Sequence, residues 1–219
     1  YIPLIENRIN TPIVASFERE TVWIDLCRDN LLASYETRAR TAIRKAEKNG
    51  VISSWATDRE SWSLFSKLYS RRMSELNASE EFCFSHDYFI RLMNMHSAHL
   101  LLASVDGEVI AGALFLMTDD FMEYHLSAST SEGMRVCATQ HLIHTAAEAA
   151  AAKRIKYFHL GGGTDNSKEN PLLFFKSGFS KNRSEYYTGK WVFDEKIYAD
   201  LQHQWMTEGK GHKRAIFYR

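Results

Sequence analysis

Glu123 and His125 lie one residue apart in the run Phe121–Ala128 (FMEYHLSA). On an extended chain that spacing puts Glu123, His125 and Ser127 on one face and Met122, Tyr124, Leu126 and Ala128 on the other. A carboxylate beside an imidazole makes the pair adjacent candidates for a general base; the alternative is a polar, solvent-facing side of a half-buried strand. Lys176 sits in LLFFKSGF (Leu172–Phe179), so its charge emerges from an apolar wall of Leu172, Leu173, Phe174 and Phe175. It could equally be a lysine offsetting the dipole at a helix end. Gly161-Gly162-Gly163 follows a strand, where backbone N–H groups can face a phosphate or simply make a tight turn. No GK[ST] follows, which excludes a nucleotide P-loop.

A third feature is basic. Arg40, Arg44 and Lys48 recur every four residues along one helix face, and Glu36–Lys48 carries a local charge of +3. Such a stripe can meet the phosphates of tRNA or of a nucleotide-diphosphate sugar, or be an ordinary solvated face. No aromatic residue interleaves it, so sequence-specific DNA binding is not expected. His141 and His144 have no acidic or cysteine partner at metal-ligand spacing and read as surface or packing histidines, with no metal expected.

These residues need elements to position them. The 219 residues are 45% hydrophobic and 25% charged, with Lys+Arg 27 against Asp+Glu 27, which suits a globular chain and excludes binding by bulk charge. The longest apolar stretch, Ile110–Met117, is a strand's length and far short of the roughly 20 residues of a membrane span. Cys27, Cys83 and Cys137 are odd in number, widely separated and set in apolar surroundings, consistent with reduced thiols in a cytosol. The expected location is therefore cytoplasmic, with at most peripheral contact with a membrane.

Tyr1–Ser16 reads as loop with an edge strand, and Thr21–Leu26 as a strand. Leu32, Tyr35, Ala39, Ile43 and Ala46 predict an amphipathic helix ending at Asn49-Gly50. Val51–Trp55 is a short strand, and the capping box Thr57-x-x-Glu60 opens a helix with Trp62, Phe65, Tyr69, Met73 and Leu76 inward. Ser85 caps another helix to about His96. Strands His99–Val105, Glu108–Met117 and Phe121–Ala128 form a meander through the Asp106-Gly107 turn. An alanine-rich helix Arg135–Arg154 leads into the strand Ile155–Leu160, a crossover unit. Asn170-Pro171 starts a helix closed by Gly178, and a last hairpin spans Glu185–Phe193.

This order of elements, together with Arg38–Val51 (RARTAIRKAEKNGV), His159–Gly163 (HLGGG) and Leu172–Phe179, resembles the Fem-type branch of the GNAT acyltransferase superfamily, the peptidyltransferases and related N-acyltransferases of the bacterial cell envelope. The resemblance covers roughly residues 21–193. It implies an α+β, three-layer fold with a mixed, mostly antiparallel sheet flanked by helices and split at one parallel pair. Residues 1–37 are expected to be an N-terminal segment left from a preceding domain of the same kind, 38–195 the acyltransferase domain, and 196–219 a C-terminal segment.

The resemblance also implies an N-acyltransferase in which the amine of a cell-envelope precursor, a peptidoglycan peptide or an amino sugar, attacks a donor carbonyl. Lys176 matches a lysine that sits at the transfer site of such enzymes and neutralises donor phosphate or carbonyl charge. Glu123 would act on the amine with His125 orienting it. Arg40, Arg44, Tyr124, Gly161, Gly162, Gly163, Asp165 and Phe175 would contact substrates. No tightly bound cofactor is implied; the donor is aminoacyl-tRNA or acyl-CoA, and tRNA is a partner in the first case. Ser129–Arg135 (STSEGMR) lacks the Q/R-x-x-G-x-G/A pyrophosphate loop of coenzyme-A-using members, which favours aminoacyl-tRNA. The absence of a broad basic surface favours the alternative, an acyl-CoA-dependent N-acetyltransferase of surface-polysaccharide synthesis. A non-catalytic precursor-binding domain is the reading from a different class.

Overall fold

A computed structural model describes residues 14–207. The strands are β1 (Val14–Asp25), β2 (Ile52–Ala56), β3 (Ala98–Val105), β4 (Glu108–Met117), β5 (Phe121–Ser129), β6 (Tyr157–Gly162) and β7 (Arg183–Lys190). The helices are α1 (Leu31–Ser34), α2 (Thr37–Lys48), α3 (Arg59–Glu75), α4 (His86–Met93), α5 (Ser131–Arg135), α6 (Ala138–Ala152), α7 (Pro171–Ser177) and α8 (Glu195–Thr207). The sheet order is β2-β3-β4-β5-β6-β1-β7. β5 pairs with β6 in parallel, whereas β2–β3, β3–β4, β4–β5 and β1–β6 are antiparallel. This is the mixed, mostly antiparallel α+β architecture expected. The chain divides into two compact units, one of Arg19–Ser184 and a smaller one to which the described residues 14–18 and 185–207 belong.

Each face of the sheet carries its own core. One buries Val22, Ile24, Phe115, Met122, Phe158 and Leu160 with Ile43 of α2 and Leu142, Ala146 and Ala150 of α6. The other buries Leu100, Leu102, Leu114 and Ala128 with Trp62, Phe65 and Tyr69 of α3 and Phe89 of α4. The parallel pair follows from the crossover: α6, packed on the first face, returns the chain from β5 to the start of β6. Asp106 (φ 51°) and Gly107 (φ 83°) take the left-handed conformations of a type I′ hairpin turn.

Several expectations change. The helix expected from Leu32 to Asn49 is broken at Tyr35, which is extended (φ −77°, ψ 156°). Its ring is held edge-on between His144 and Phe179, and Glu36 N–H donates to Gly178 O (2.8 Å), so tertiary contacts override the helical period. The helix expected over Arg135–Arg154 is likewise two, separated at left-handed Cys137 (φ 63°). Asp58, not Thr57, caps α3: its carboxylate accepts both Ser61 N–H (2.8 Å) and Ser61 O–H (2.7 Å). Met73 of α3 is only partly buried, and Leu76, which caps the end of α3, is exposed.

The hairpin expected over Glu185–Phe193 is instead the single strand β7, next to β1 in the sheet. Gly178 remains right-handed (φ −63°). Cys27 and Cys83 are exposed, not set in apolar surroundings, and all three thiols are free. β1 runs from Val14 rather than Thr21; the rest of the expected N-terminal loop lies outside the described residues.

Candidate functional site

β5 and β6 stay paired for only three residues, Phe121↔Tyr157, Met122↔Phe158 and Glu123↔His159. Past Glu123 the two strands separate, β5 continuing along β4 to Ser129 while β6 follows β1. The gap between them leaves backbone groups of β5 without a strand partner, the type of cleft in which an amide N–H can polarise a carbonyl.

A bulge in β5 shapes the cleft. Leu114 pairs with Leu126 and Phe115 with Tyr124, so His125 is the extra residue. The expected alternation therefore reverses there: Met122 and Tyr124 pack with the first core, Leu126 and Ala128 with the second. Ser127, expected on the other face, accepts the Tyr124 hydroxyl proton. His125 does not orient Glu123 in this structure. Its Nε2 shares a 2.7 Å hydrogen bond with Tyr88 Oη of α4, and the Tyr88 ring stacks on Phe84 at 4.3 Å.

The neighbour of Glu123 is His159, whose Nδ1 lies 3.9 Å from Glu123 Oε1. Burial pushes the Glu123 carboxyl above its ordinary value, an effect the Lys176 charge opposes. Burial, with the same charge nearby, pushes His159 down to about 4, so its ring is neutral near pH 7. Sequence reasoning passed over His159 although HLGGG contains it, because the pairing that brings it to Glu123 is non-local.

The register sets out a small lattice on this face. Tyr157 lies opposite Phe121 on one side and Asp25 on the other, and His159 opposite Glu123 and Trp23. The result is two cross-strand rows, Phe121–Tyr157–Asp25 and Glu123–His159–Trp23, with side chains on one face.

Lys176 is 7% exposed and donates Nζ–H to Gly162 O (2.7 Å). Its Nζ lies 6.0 Å from the Tyr124 ring centroid. Burial and the nearby Arg19 charge bring its pKa down to about 8, with Glu123 pulling the other way. Gly161 permits this approach. It sits at φ 76° beside the β1–β6 irregularity, and its absent Cβ would stand 3.2 Å from Lys176 Nζ. Arg19, another residue without a sequence signal, donates to Gly163 O (2.7 Å). Gly162 and Gly163 therefore each offer a carbonyl to a cation here, and Gly161 and Gly162 belong to β6 rather than to the loop after it.

α7 is fixed by Asn170, which is buried and accepts Leu172 N–H and Leu173 N–H at 3.0 and 3.2 Å. Its Nδ2 donates to Thr164 Oγ1 (2.8 Å) and Asp165 Oδ1 (3.1 Å). Asp165 thus braces the loop before α7. Phe175 packs edge-on against Phe179 and faces the core. Arg40 is partly buried, donating to Tyr35 O and to Thr37 Oγ1 (2.9 Å), while Arg44 is exposed. The structure thus gathers Glu123, Tyr124, Lys176 and the glycines about the cleft, and spends Arg40 on its own helix.

Between β5 and α6, Thr130 Oγ1 accepts Gly133 N–H (3.0 Å), and a Cβ on Gly133 would lie 2.3 Å from Ile110 O. The one glycine of STSEGMR serves packing against β4. Among the described residues no cluster of His, Cys, Asp and Glu has metal-binding geometry, and no helix is long and apolar enough to cross a membrane.

A comparison with curated protein sequences gives no match. Among solved structures, the chain is similar to FemX (TM-score 0.68, 18% identity, 85% of this chain and 64% of that one). It is also similar to L-PGS from Bacillus licheniformis (TM-score 0.61, 14% identity, 86% and 65%). A third similar structure is the C-terminal domain (DUF2156) of an Agrobacterium fabrum protein (TM-score 0.63, 13% identity, 89% and 66%). The chain thus spans just under two thirds of the length of these structures. The model of the acetyltransferase (GNAT) domain matches residues 33–169, ending before Lys176. Matched over more than half its length, the chain belongs to the GNAT acetyltransferase domain family.

Proposed function

We propose that this chain is an N-acyltransferase that moves an aminoacyl group from its ester on tRNA to an amine of a cell-envelope precursor. The observation that carries the reading is the buried ammonium of Lys176, held on Gly162 O of β6 at 2.7 Å, on the strand that brings His159 opposite Glu123 where β5 and β6 part. The acceptor amine attacks the ester carbonyl carbon, forming the C–N bond, and gives up a proton to Glu123. The C–O bond then breaks, and the leaving hydroxyl takes a proton back from Glu123. Lys176, charged at neutral pH, stabilises the negative oxygen between these steps. Neutral His159, with Nδ1 3.9 Å from Glu123 Oε1, does not compete for the amine proton.

Support for the ester donor over a thioester comes from Gly133, which is packed on β4 within α5 with its N–H taken by the Thr130 cap, instead of opening a pyrophosphate loop. The second reading, an acyl-CoA donor, is supported by the family match itself. The full chain is incubated with aminoacyl-tRNA or with acetyl-CoA, each with a lysine-containing muropeptide and with glucosamine as acceptors, and amide product is followed by mass spectrometry. Amide from aminoacyl-tRNA that disappears in Glu123→Gln supports the proposal. Amide from acetyl-CoA alone replaces the donor, and no amide from either overturns the reading.

A further inference from the structure

The two-row lattice extends past the proton-handling pair. In the row one step before Glu123 and His159, Phe121 and Tyr157 stack at 5.1 Å with a 30° interplanar angle. Trp23 meets Tyr157 edge-on at 5.6 Å. Phe121 is 43% exposed and Tyr157 39%, so three strands together present an aromatic surface to solvent. Core packing does not account for it, since the core residues of these strands, Met122, Phe158 and Ile24, occupy the opposite face.

The edges of this surface are polar and of both signs. Lys156 Nζ pairs with Asp120 Oδ1 at 2.8 Å beside Tyr157 and Phe121, and Arg28 pairs with Asp25 Oδ2 at 3.7 Å where Asp25 stands opposite Tyr157. A pyranose has the matching shape: an apolar C–H face that lies on aromatic rings, and a rim of hydroxyls that donate to carboxylates and accept from cations. Along a strand the step from Phe121 to Glu123 is about 6.6 Å, which the half-width of a pyranose, its amine and one hydrogen bond together span. An amine on a sugar seated over Tyr157 therefore arrives at Glu123, and its positive charge before proton loss suits that carboxylate.

We infer that Phe121, Tyr157 and Trp23 form the acceptor platform and that the acceptor is a hexosamine unit of a glycan. This rests on the acyl-transfer reading above and adds the acceptor class to it. Asp120, Lys156, Asp25 and Arg28 fix the sugar's orientation through its hydroxyls.

The test is isothermal titration of the full chain with a β-1,4-linked glucosamine trisaccharide, in the absence of any acyl donor. The trisaccharide is expected to bind; Tyr157→Ala weakens it about tenfold, roughly 1.4 kcal/mol, while Tyr157→Phe, which keeps the ring, binds as the parent does. Melting curves of both Tyr157 variants separate lost folding from lost binding. No detectable binding overturns the inference, as does a Tyr157→Ala variant that melts like the parent and binds the sugar equally well. Tyr157-dependent binding of a lysine-containing muropeptide without binding of the sugar also overturns it. Because no donor is present, sugar binding without turnover supports the platform while counting against the transfer reading, and transfer to a peptide amine without sugar binding counts against the platform alone.

Discussion

Glu123 and His159 face each other as the last parallel pair of β5 and β6, with Oε1 3.9 Å from Nδ1. Desolvation moves the two groups in opposite directions, the carboxyl up and the imidazole down. Each shift disfavours the charged form, so His159 stays neutral as support while Glu123 takes up a proton more readily than a free carboxylate does. Glu123→Gln is expected to lower kcat about 100-fold with little change in KM. In a pH–rate profile the ascending limb of the parent is displaced upward from that of a free carboxylate and is absent from the variant.

Lys176 titrates at about 8 in the fold against 10.5 in a free lysine. It is therefore charged at pH 7, and activity is expected to fall as pH rises through 8. The same shift bears on stability. Between pH 8 and 10.5 the unfolded chain holds the proton that the folded chain has released, so stability rises with pH across that window, by about 3 kcal/mol. Below pH 8 the fold carries the whole cost of the buried charge. Lys176→Met is expected to abolish transfer, to melt higher than the parent at pH 7, and to lose the rise between pH 8 and 10.5. Thermal melts of both proteins at pH 7 and 10 read this directly.

His159 works at the acid end. Its folded value near 4 lies below the ordinary 6.5, so below pH 6.5 the unfolded chain takes up a proton that the fold refuses. Stability is full above 6.5 and falls by about 3 kcal/mol as pH drops to 4. Urea unfolding at pH 7 and pH 4.5 is expected to show this loss in the parent and a smaller one in His159→Phe.

Asn170 is the joint between the glycine segment and the helix that bears Lys176. Asn170→Ala removes the cap from two amides of α7 and both braces to the preceding loop. A loss of about 2 kcal/mol in chemical denaturation is expected, together with a fall of about tenfold in kcat/KM as Lys176 loses its aim. Gly163→Ala is expected to act in the same direction, because its Cβ would lie 2.5 Å from Asn170 Cγ.

What could be read from the chain was local. The Asp106-Gly107 turn, the bounds of β4 and the Asn170-Pro171 start of α7 depend on residues within a few positions of one another, and each is found where expected. The breaks at Tyr35 and Cys137 were not visible, since the helical period continues through both. What interrupts the first is a ring held by residues more than a hundred positions away. The site divides in the same manner. Glu123, Tyr124 and Lys176 have signals in their own segments, whereas His159, Trp23 and Arg19 matter through strand pairing that joins distant segments.

The bulge at His125 has a consequence for how this strand can change. It splits β5 into two half-strands of opposite phase, so residues 121–124 and 126–129 answer to different constraints. Substitutions in the first half can retune what is held over Phe121 without disturbing the packing of α3 against Ala128. Drawing His125 into a regular ladder would place either Glu123 or Leu126 on the wrong side. One extra residue thus lets a single strand be a rigid wall at one end and an adjustable surface at the other.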